Sequence, residues 1–522
     1  MAALTSPEAV QAANPTHPDK VRNVILLIGD GMGPQQIGLL SYYAHNAPHS
    51  VYNGRTPAIE QLMNEGVTGV VRTNPAHALV VDSAAAASQL ATGKLAPSEA
   101  LGVDEDGHVV DTVLERAERM GKATGLVSDT RITHATPAAF GAHVAHRSQE
   151  NEIAVQLLNA DVDVMLSGGL RHWIPKSVNE KGVTHDAIRK QTGGHIKIKS
   201  KRKDERNLLA EAEAKGYALS FDRTSLMQAK GDKLLGLYAY SGMDDGIRYT
   251  HSKNDPGRWQ PSLAEMTRKA LDVLSRDPDG FFLMVEGGQI DWAGHNNDAA
   301  TMLHEMLKFD EAVQVVIDWA KNRKDTLVVL TADHETGSFG FSYSRANIPT
   351  PENLKGEVFR NHPYRPNFNF GDFSLLDRIY NQKLSFADMF DEWRSGEKTP
   401  ERLMAIVNAN SEFDITLDEA RAILADEPNT YRLKGHSYLD AETFPKVCDF
   451  KAFYVYGDEV RTDLLARMIA EDQNVVWGTG THTSTPVTVT ALGPQGWEMA
   501  FSRIQHATQV GQVINAALGA DK

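Results

Sequence analysis

Five largely apolar runs, several rich in β-branched residues and each leading to Gly, Asp or Glu, constrain this chain more than any other feature. Residues 24–28 lead into Gly29-Asp30-Gly31-Met32-Gly33, and residues 124–127 into Ser128-Asp129. Residues 162–166 run toward Gly168-Gly169, residues 281–285 into Glu286-Gly287-Gly288, and residues 326–330 into Thr331-Ala332-Asp333-His334. A strand wetted on one face alternates polar and apolar side chains. Runs without alternation suit strands covered on both faces, as in a mostly parallel sheet. The stretches between them, such as 110–120 and 262–275, carry the periodicity of amphipathic helices. The expected fold class is therefore α/β: a mostly parallel central sheet with helices on both faces and surface insertions.

Acids and histidines fall at the carboxyl ends of these runs, which is where open α/β sheets bind ligands. Asp30 alone would pass for a turn residue, since Asp-Gly is a turn dipeptide. Ser83 lies at or near the N-cap of an Ala-rich helix over 84–91. It reads either as a capping serine or as a nucleophile where free N–H groups favour phosphate. Asp291 and His295 stand four residues apart. On a helix starting near Ile290 both face one way, as two ligands of one ion require. Glu286, the Asp333-His334 pair and His482, in the loop Gly478-Thr479-Gly480-Thr481-His482-Thr483, could reach the same cavity. Arg147 offers a bidentate fork for phosphate, against the plainer reading of a surface helix arginine. His143 and His146 read as structural or exposed.

Composition narrows the chemistry. With Cys448 as the one cysteine, neither an intrachain disulfide nor a thiolate metal cluster is possible, so any metal falls to His, Asp and Glu. The formal charge of −15 disfavours nucleic acid and anionic membranes as partners. It also repels phosphate, so an anion site needs local positive charge, which bound cations supply. No apolar stretch reaches the roughly 18 residues of a membrane span.

The 522 residues suggest one large domain with insertions, or two to three smaller ones. Residues 1–20, with Pro7, Pro15 and Pro18 and no apolar signal-peptide core, are expected as a flexible leader. Residues 21–341 form the expected catalytic core. It includes a polar loop insertion at 172–206, whose basic residues Lys197, Lys199, Lys201, Arg202 and Lys203 are balanced at once by Asp204 and Glu205. Residues 342–435 read as a large insertion, a lid or dimer-interface loop, helical over 386–393, 401–408 and 417–424. Residues 436–522 return to the core.

Together these residues resemble the alkaline phosphatase family. Its motifs stand here as Gly29-Asp30-Gly31-Met32-Gly33, Asp82-Ser83-Ala84, Thr133-His134-Ala135-Thr136-Pro137, residues 286–295, Thr331-Ala332-Asp333-His334-Glu335-Thr336-Gly337 and Gly480-Thr481-His482-Thr483. They appear in the family's order across residues 23–486. The resemblance implies hydrolysis of phosphomonoesters of broad specificity through a phosphoserine on Ser83, with two Zn²⁺ and one Mg²⁺ per chain. It implies that Asp291, His295 and His482 hold the first zinc. Asp333, His334 and Asp30 would hold the second, joined by the Ser83 oxygen, and Asp30, Thr136 and Glu286 the magnesium. Arg147 would bind phosphate and Asp82 would orient it, with His134 and Trp292 beside the phosphate. The pair His134 and Trp292, with the long insertion, is similar to marine, cold-adapted bacterial members. A homodimer, a periplasmic or secreted location and an export signal removed before this numbering are further expectations.

The same metal-bearing fold resembles that of phosphodiesterases, sulfatases and cofactor-independent phosphoglycerate mutases. Ser83-Ala84-Ala85 lacks a sulfatase modification motif. A phosphodiesterase, with no third site, is the main alternative, and a non-catalytic zinc- or phosphate-binding protein is another.

Overall fold

The computed structural model describes residues 20–494 and 496–519; the expected leader, apart from Lys20, lies outside the described residues. Ten strands form one sheet. In chain order they are β1 (Asn23–Gly29), β2 (Val67–Arg72), β3 (Ala123–Arg131), β4 (Val164–Gly168) and β5 (Ala218–Ser220). There follow β6 (Leu234–Leu237), β7 (Phe281–Gly287), β8 (Thr326–Ala332), β9 (Val487–Leu492) and β10 (Ile504–His506). Across the sheet the order is β10-β2-β9-β8-β1-β7-β3-β4-β6-β5. β9 alone runs against its neighbours, antiparallel to β2 and β8. Every residue of β1, β7 and β8 is buried, which explains why their sequences show no alternation.

Strands buried on both faces need two covers. One comes from the helices Leu263–Leu274 and Ala299–Ala320, packed on each other and against β7. The other includes the helix Val113–Arg119, which packs on β3 and β7 and beside Ser83–Thr92 and Ala507–Ala517. The helix Ala299–Ala320 is buried along most of its length, and its cap Asp298 accepts from the Thr301 amide.

The stretch 342–435 holds the helices Ser374–Tyr380, Phe386–Arg394, Pro400–Asn410 and Leu417–Leu424. Phe386, Phe390 and Phe413 belong to the same continuous apolar core as the sheet, so this stretch is packed onto the molecule. Asp298 fastens it from the core side, accepting from the Phe386 amide at 2.7 Å and from the Gln382 amide nitrogen. Two short antiparallel strands, Asp426–Pro428 and Thr443–Pro445, pair across residue 436. Residues 172–206 are more ordered than a solvated loop. They include the helix Val183–Gln191, and the Arg202 side chain is buried against Asp204, His172 and the backbone of Asn151.

Candidate metal centre and nucleophile

The site arises from sheet register. β1 lies between β7 and β8, with Gly29 opposite Gly287 on one side and Ala332 on the other. The residues just beyond these positions, Asp30 and Asp333-His334, therefore emerge at one edge together with Glu286, which faces Ile28. Gly31 follows with φ +73°, and a Cβ there would lie 2.7 Å from Asp291 Cα, so the turn needs glycine. Its amide donates to Asp333 Oδ1 at 3.1 Å.

Three groups of ligand-type atoms converge, each within 4.8 Å: Asp291 with His295 and His482, Asp30 with Asp333 and His334, and Asp30 with His134 and Glu286. In the first, Asp291 and His295 share the helix Gln289–His295. His482 comes from a two-residue strand, His482–Thr483, paired with Glu335–Thr336. His295 Nδ1 meets the Gly480 carbonyl at 2.8 Å and His482 Nδ1 the Val81 carbonyl at 2.8 Å. Carbonyls only accept, so both Nδ1 atoms carry a proton, which leaves the two Nε2 atoms as the positions that a metal ion would occupy in place of a proton. Those two Nε2 atoms lie 3.0 Å apart and 3.5 and 3.4 Å from Asp291 Oδ1. Two lone pairs and a carboxylate at such distances repel unless a cation stands among them, and two nitrogens with one oxygen suit zinc.

In the second group His334 Nε2 stands 3.4 Å from Asp30 Oδ1, 3.2 Å from Asp333 Oδ2 and 3.3 Å from Ser83 Oγ. Thr336 joins the two groups: its hydroxyl donates to Asp291 Oδ1 at 2.5 Å and accepts from His334 Nδ1 at 3.3 Å. In the third, Thr136 donates to Asp30 Oδ2 at 3.1 Å. Ser128 and Thr130, at the end of β3, both hold Glu286 Oε2. Asp30 Oδ1, Asp333 Oδ2 and Glu286 Oε1 are buried without a hydrogen-bond partner. Orphaned acceptors packed this tightly fit resident cations.

Electrostatics say the same. Burial, followed by the charges of Asp333, Asp291 and Glu286, holds the Asp30 carboxyl well above the usual carboxylate range. Burial and Asp291 push Asp333 up to about 8, and burial with Asp129 pushes Glu286 up to about 7. Burial acts the same way on Asp291, but His295, His482 and His334 overcome it and hold that carboxyl well below its ordinary value. Bound cations relieve this mutual repulsion.

Ser83 opens the buried helix Ser83–Thr92, and the residue that caps it is Asp82, whose carboxylate accepts from the Ala84 and Ala85 amides. Sequence places Ser83 at or near the cap, and it is the first helical residue, next to Asp82, with its hydroxyl facing His334. Arg147 donates to Asp82 Oδ2 at 3.1 Å and to His134 Nε2 at 3.1 Å. Arginine only donates, so His134 Nε2 accepts and its Nδ1 carries the proton. Burial and the nearby Arg131 and Arg147 charges keep that ring neutral. Trp292 meets the His134 ring edge-on at 5.9 Å. Ser83, Asp82, Arg147, His134, Trp292, Asp291, His295 and His482 all line one cavity of about 1320 Å³. His143 is tied to Gly102 and Glu115, and His146 is exposed against Glu99, so neither joins the metal groups.

Sequence reasoning missed Ser128, Thr130 and Thr336 as supports of the ligands, although each sits beside a strand end it had singled out. It missed Lys308 entirely. Its ammonium is buried between Asp129 at 3.1 Å and Glu305 at 2.5 Å, and Asp129 in turn accepts from the Gly288 amide at 2.7 Å.

The chain is similar to known proteins along most of its length. A family model described as alkaline phosphatase matches residues 21–520. Alkaline phosphatase 3 of Bacillus subtilis is 38% identical over 349 residues, covering 65% of this chain and 66% of its own length. The repressible alkaline phosphatase of Saccharomyces cerevisiae is 36% identical over 354 residues, covering 64% of this chain and 58% of its own. The chain thus spans somewhat less than two thirds of these curated relatives. Among solved structures, the Thermus thermophilus alkaline phosphatase superposes with TM-score 0.75 at 25% identity, over 99% of this chain and 96% of that one. The cold-active alkaline phosphatase of the psychrophile Shewanella sp. gives TM-score 0.66 at 26% identity, over 95% and 99%.

Proposed function

Because the chain belongs to the alkaline phosphatase family, we propose that it hydrolyses phosphomonoesters through a phosphoserine on Ser83. The observation that carries this is the placement of the Ser83 hydroxyl, 1% exposed as a residue, at a helix N-terminus and 3.3 Å from His334 within the converging acids and histidines.

Two zinc ions and one magnesium are the proposed complement. Asp291, His295 and His482 would hold the first zinc, and Asp30, Asp333 and His334 the second. Asp30, Thr136 and Glu286 supply oxygens to the third ion, whose oxygen-rich set suits magnesium. When bound, such ions lower the pKa of an attached hydroxyl and neutralise charge on phosphate oxygens.

The chain's own residues do the rest. Arg147 grips two phosphate oxygens through its fork, braced from behind by Asp82. The dipole of the Ser83 helix favours the same dianion. His134 and Trp292 close the side of the phosphate position. Ser83 Oγ loses its proton and attacks phosphorus in line. The bond from phosphorus to the alcohol oxygen breaks, and the alcohol leaves carrying a proton. Water then cleaves the phosphoserine, returning Ser83 and releasing phosphate. Two inversions give net retention at phosphorus.

A homodimer and export to the periplasm or medium complete the proposal on the family resemblance. The exposed rings of Tyr343, Phe368 and Phe370, clustered 5.3–5.4 Å apart, offer a surface for a second copy. Cold adaptation finds support in the Shewanella neighbour, while the Thermus neighbour superposes more closely. Among the described residues no helix is long and apolar enough to cross a membrane.

A phosphodiesterase is the second reading; the Glu286 and Thr136 oxygens beside Asp30 favour the monoesterase. Metal content alongside turnover of an aryl monophosphate and a bis-aryl phosphate tests both. Close to two zincs per chain, chelator-sensitive turnover and preference for the monoester are expected. Preference for the diester would replace this reading with the second.

A further inference from the structure

The cavity over Ser83 holds far more than a phosphate group. Its outer wall comes from the insertion and the segment after it, and includes Phe390, Trp393, Tyr438 and Tyr456. In-line displacement places the departing oxygen opposite Ser83 Oγ. Ser83, His295 and His482 line this cavity together with the two tyrosines, so an alcohol departing away from Ser83 leaves into the space they bound. There the Tyr456 ring meets the His295 ring edge-on, with centroids 5.4 Å apart and an 80° angle. Tyr438 meets Tyr456 in the same way at 5.1 Å and 80°. Tyr438 is nevertheless 57% exposed and lines the cavity. The two tyrosines thus form a step of aromatic faces running from the phosphate end to the mouth.

We propose that Tyr438 and Tyr456 form a subsite for the leaving alcohol that selects phosphomonoesters whose alcohol carries a planar aromatic ring. The proposal rests on the phosphomonoesterase reading of Ser83. A flat ring departing into this part of the cavity can stack offset or edge-on with the two tyrosines, which a puckered ring of equal size cannot match. Contacts to the remote part of a substrate count toward the chemical step, so the selection appears in kcat/KM.

Benzyl phosphate and cyclohexylmethyl phosphate test it, because their alcohols are primary, of similar size and similarly acidic. The metal-loaded full chain is expected to favour the benzyl ester by roughly 3- to 10-fold in kcat/KM, the range one aromatic pair supplies. Tyr438→Ala brings the ratio near one, whereas Tyr438→Phe keeps it. The inhibition constant of benzylphosphonate weakens in Tyr438→Ala by the same factor. A wild-type ratio near one overturns the subsite, as does a ratio unchanged in Tyr438→Ala or an equal loss of both esters in Tyr438→Ala. Failure of the wild type to turn over either ester is a different result: it overturns the reading of Ser83, and the subsite with it.

Discussion

Nη1 of Arg147 lies 3.1 Å from Oδ2 of Asp82, the same carboxylate that caps the helix beginning at Ser83. Asp82 also accepts from the Glu99 amide at 2.8 Å. One side chain therefore fixes both where the nucleophile's helix starts and where the phosphate-binding fork stands, so the two cannot drift apart independently.

Asp82 substitutions separate these duties. Asparagine caps a helix as well as aspartate does, so Asp82→Asn should leave the urea midpoint nearly unchanged while weakening Arg147's charged partner. Asp82→Ala should cost about 1 kcal/mol of stability as well. Both should raise KM and the inhibition constant for inorganic phosphate by roughly 10-fold or more, as loss of a charge-assisted hydrogen bond does. Equal phosphate affinity in Asp82→Asn and wild type would contradict the bracing role.

The metal-free protein should lose stability as pH rises. Asp333 and Glu286 have folded values of about 8 and about 7, and Asp30 is raised likewise. Unfolded carboxyls titrate near pH ~4. The folded state therefore holds protons the unfolded chain has released. Their stabilising contribution is full below pH ~4 and is lost as pH climbs toward 8. Asp291, held low, works in the opposite sense and loses its contribution only in acid. Melting the chelated protein from pH 5 to 8.5 should show a falling midpoint, and restoring zinc and magnesium should flatten it.

Lys308→Met leaves Asp129 and Glu305 buried without their cation. Breaking a buried pair in this way costs roughly 3–5 kcal/mol, read from urea unfolding. Asp129 anchors the Gly288 amide two residues from Glu286, so the variant should also need more magnesium for full activity. A stable variant with wild-type magnesium dependence would show the network to be incidental.

Much of this was legible in the chain itself. The apolar run at 24–28 becomes β1 and the run at 281–285 becomes β7, each within two residues of the expected bounds, because unbroken burial leaves an unbroken hydrophobic signal. Asp30, Glu286 and Asp333-His334 come together because parallel register sets their strand ends side by side. The supports were not legible. Ser128, Thr130 and Thr336 are single hydroxyls whose partners lie far away in sequence, and no periodicity marks them. Lys308 looks like any polar helix position until Asp129 closes on it. Tyr438 and Tyr456 come from irregular backbone beyond the expected insertion boundary, where only tertiary packing decides what faces the cavity.

The central claim is that Ser83 takes the phosphate. Metal-loaded enzyme turning over a phosphomonoester can be quenched in acid and its peptides mapped by mass spectrometry. The account predicts phosphate on Ser83 alone, and in Ser83→Ala no trapped phosphate with turnover reduced by more than about 10³-fold. Phosphate on another side chain, or a Ser83→Ala variant that hydrolyses the ester at the wild-type rate, would contradict it.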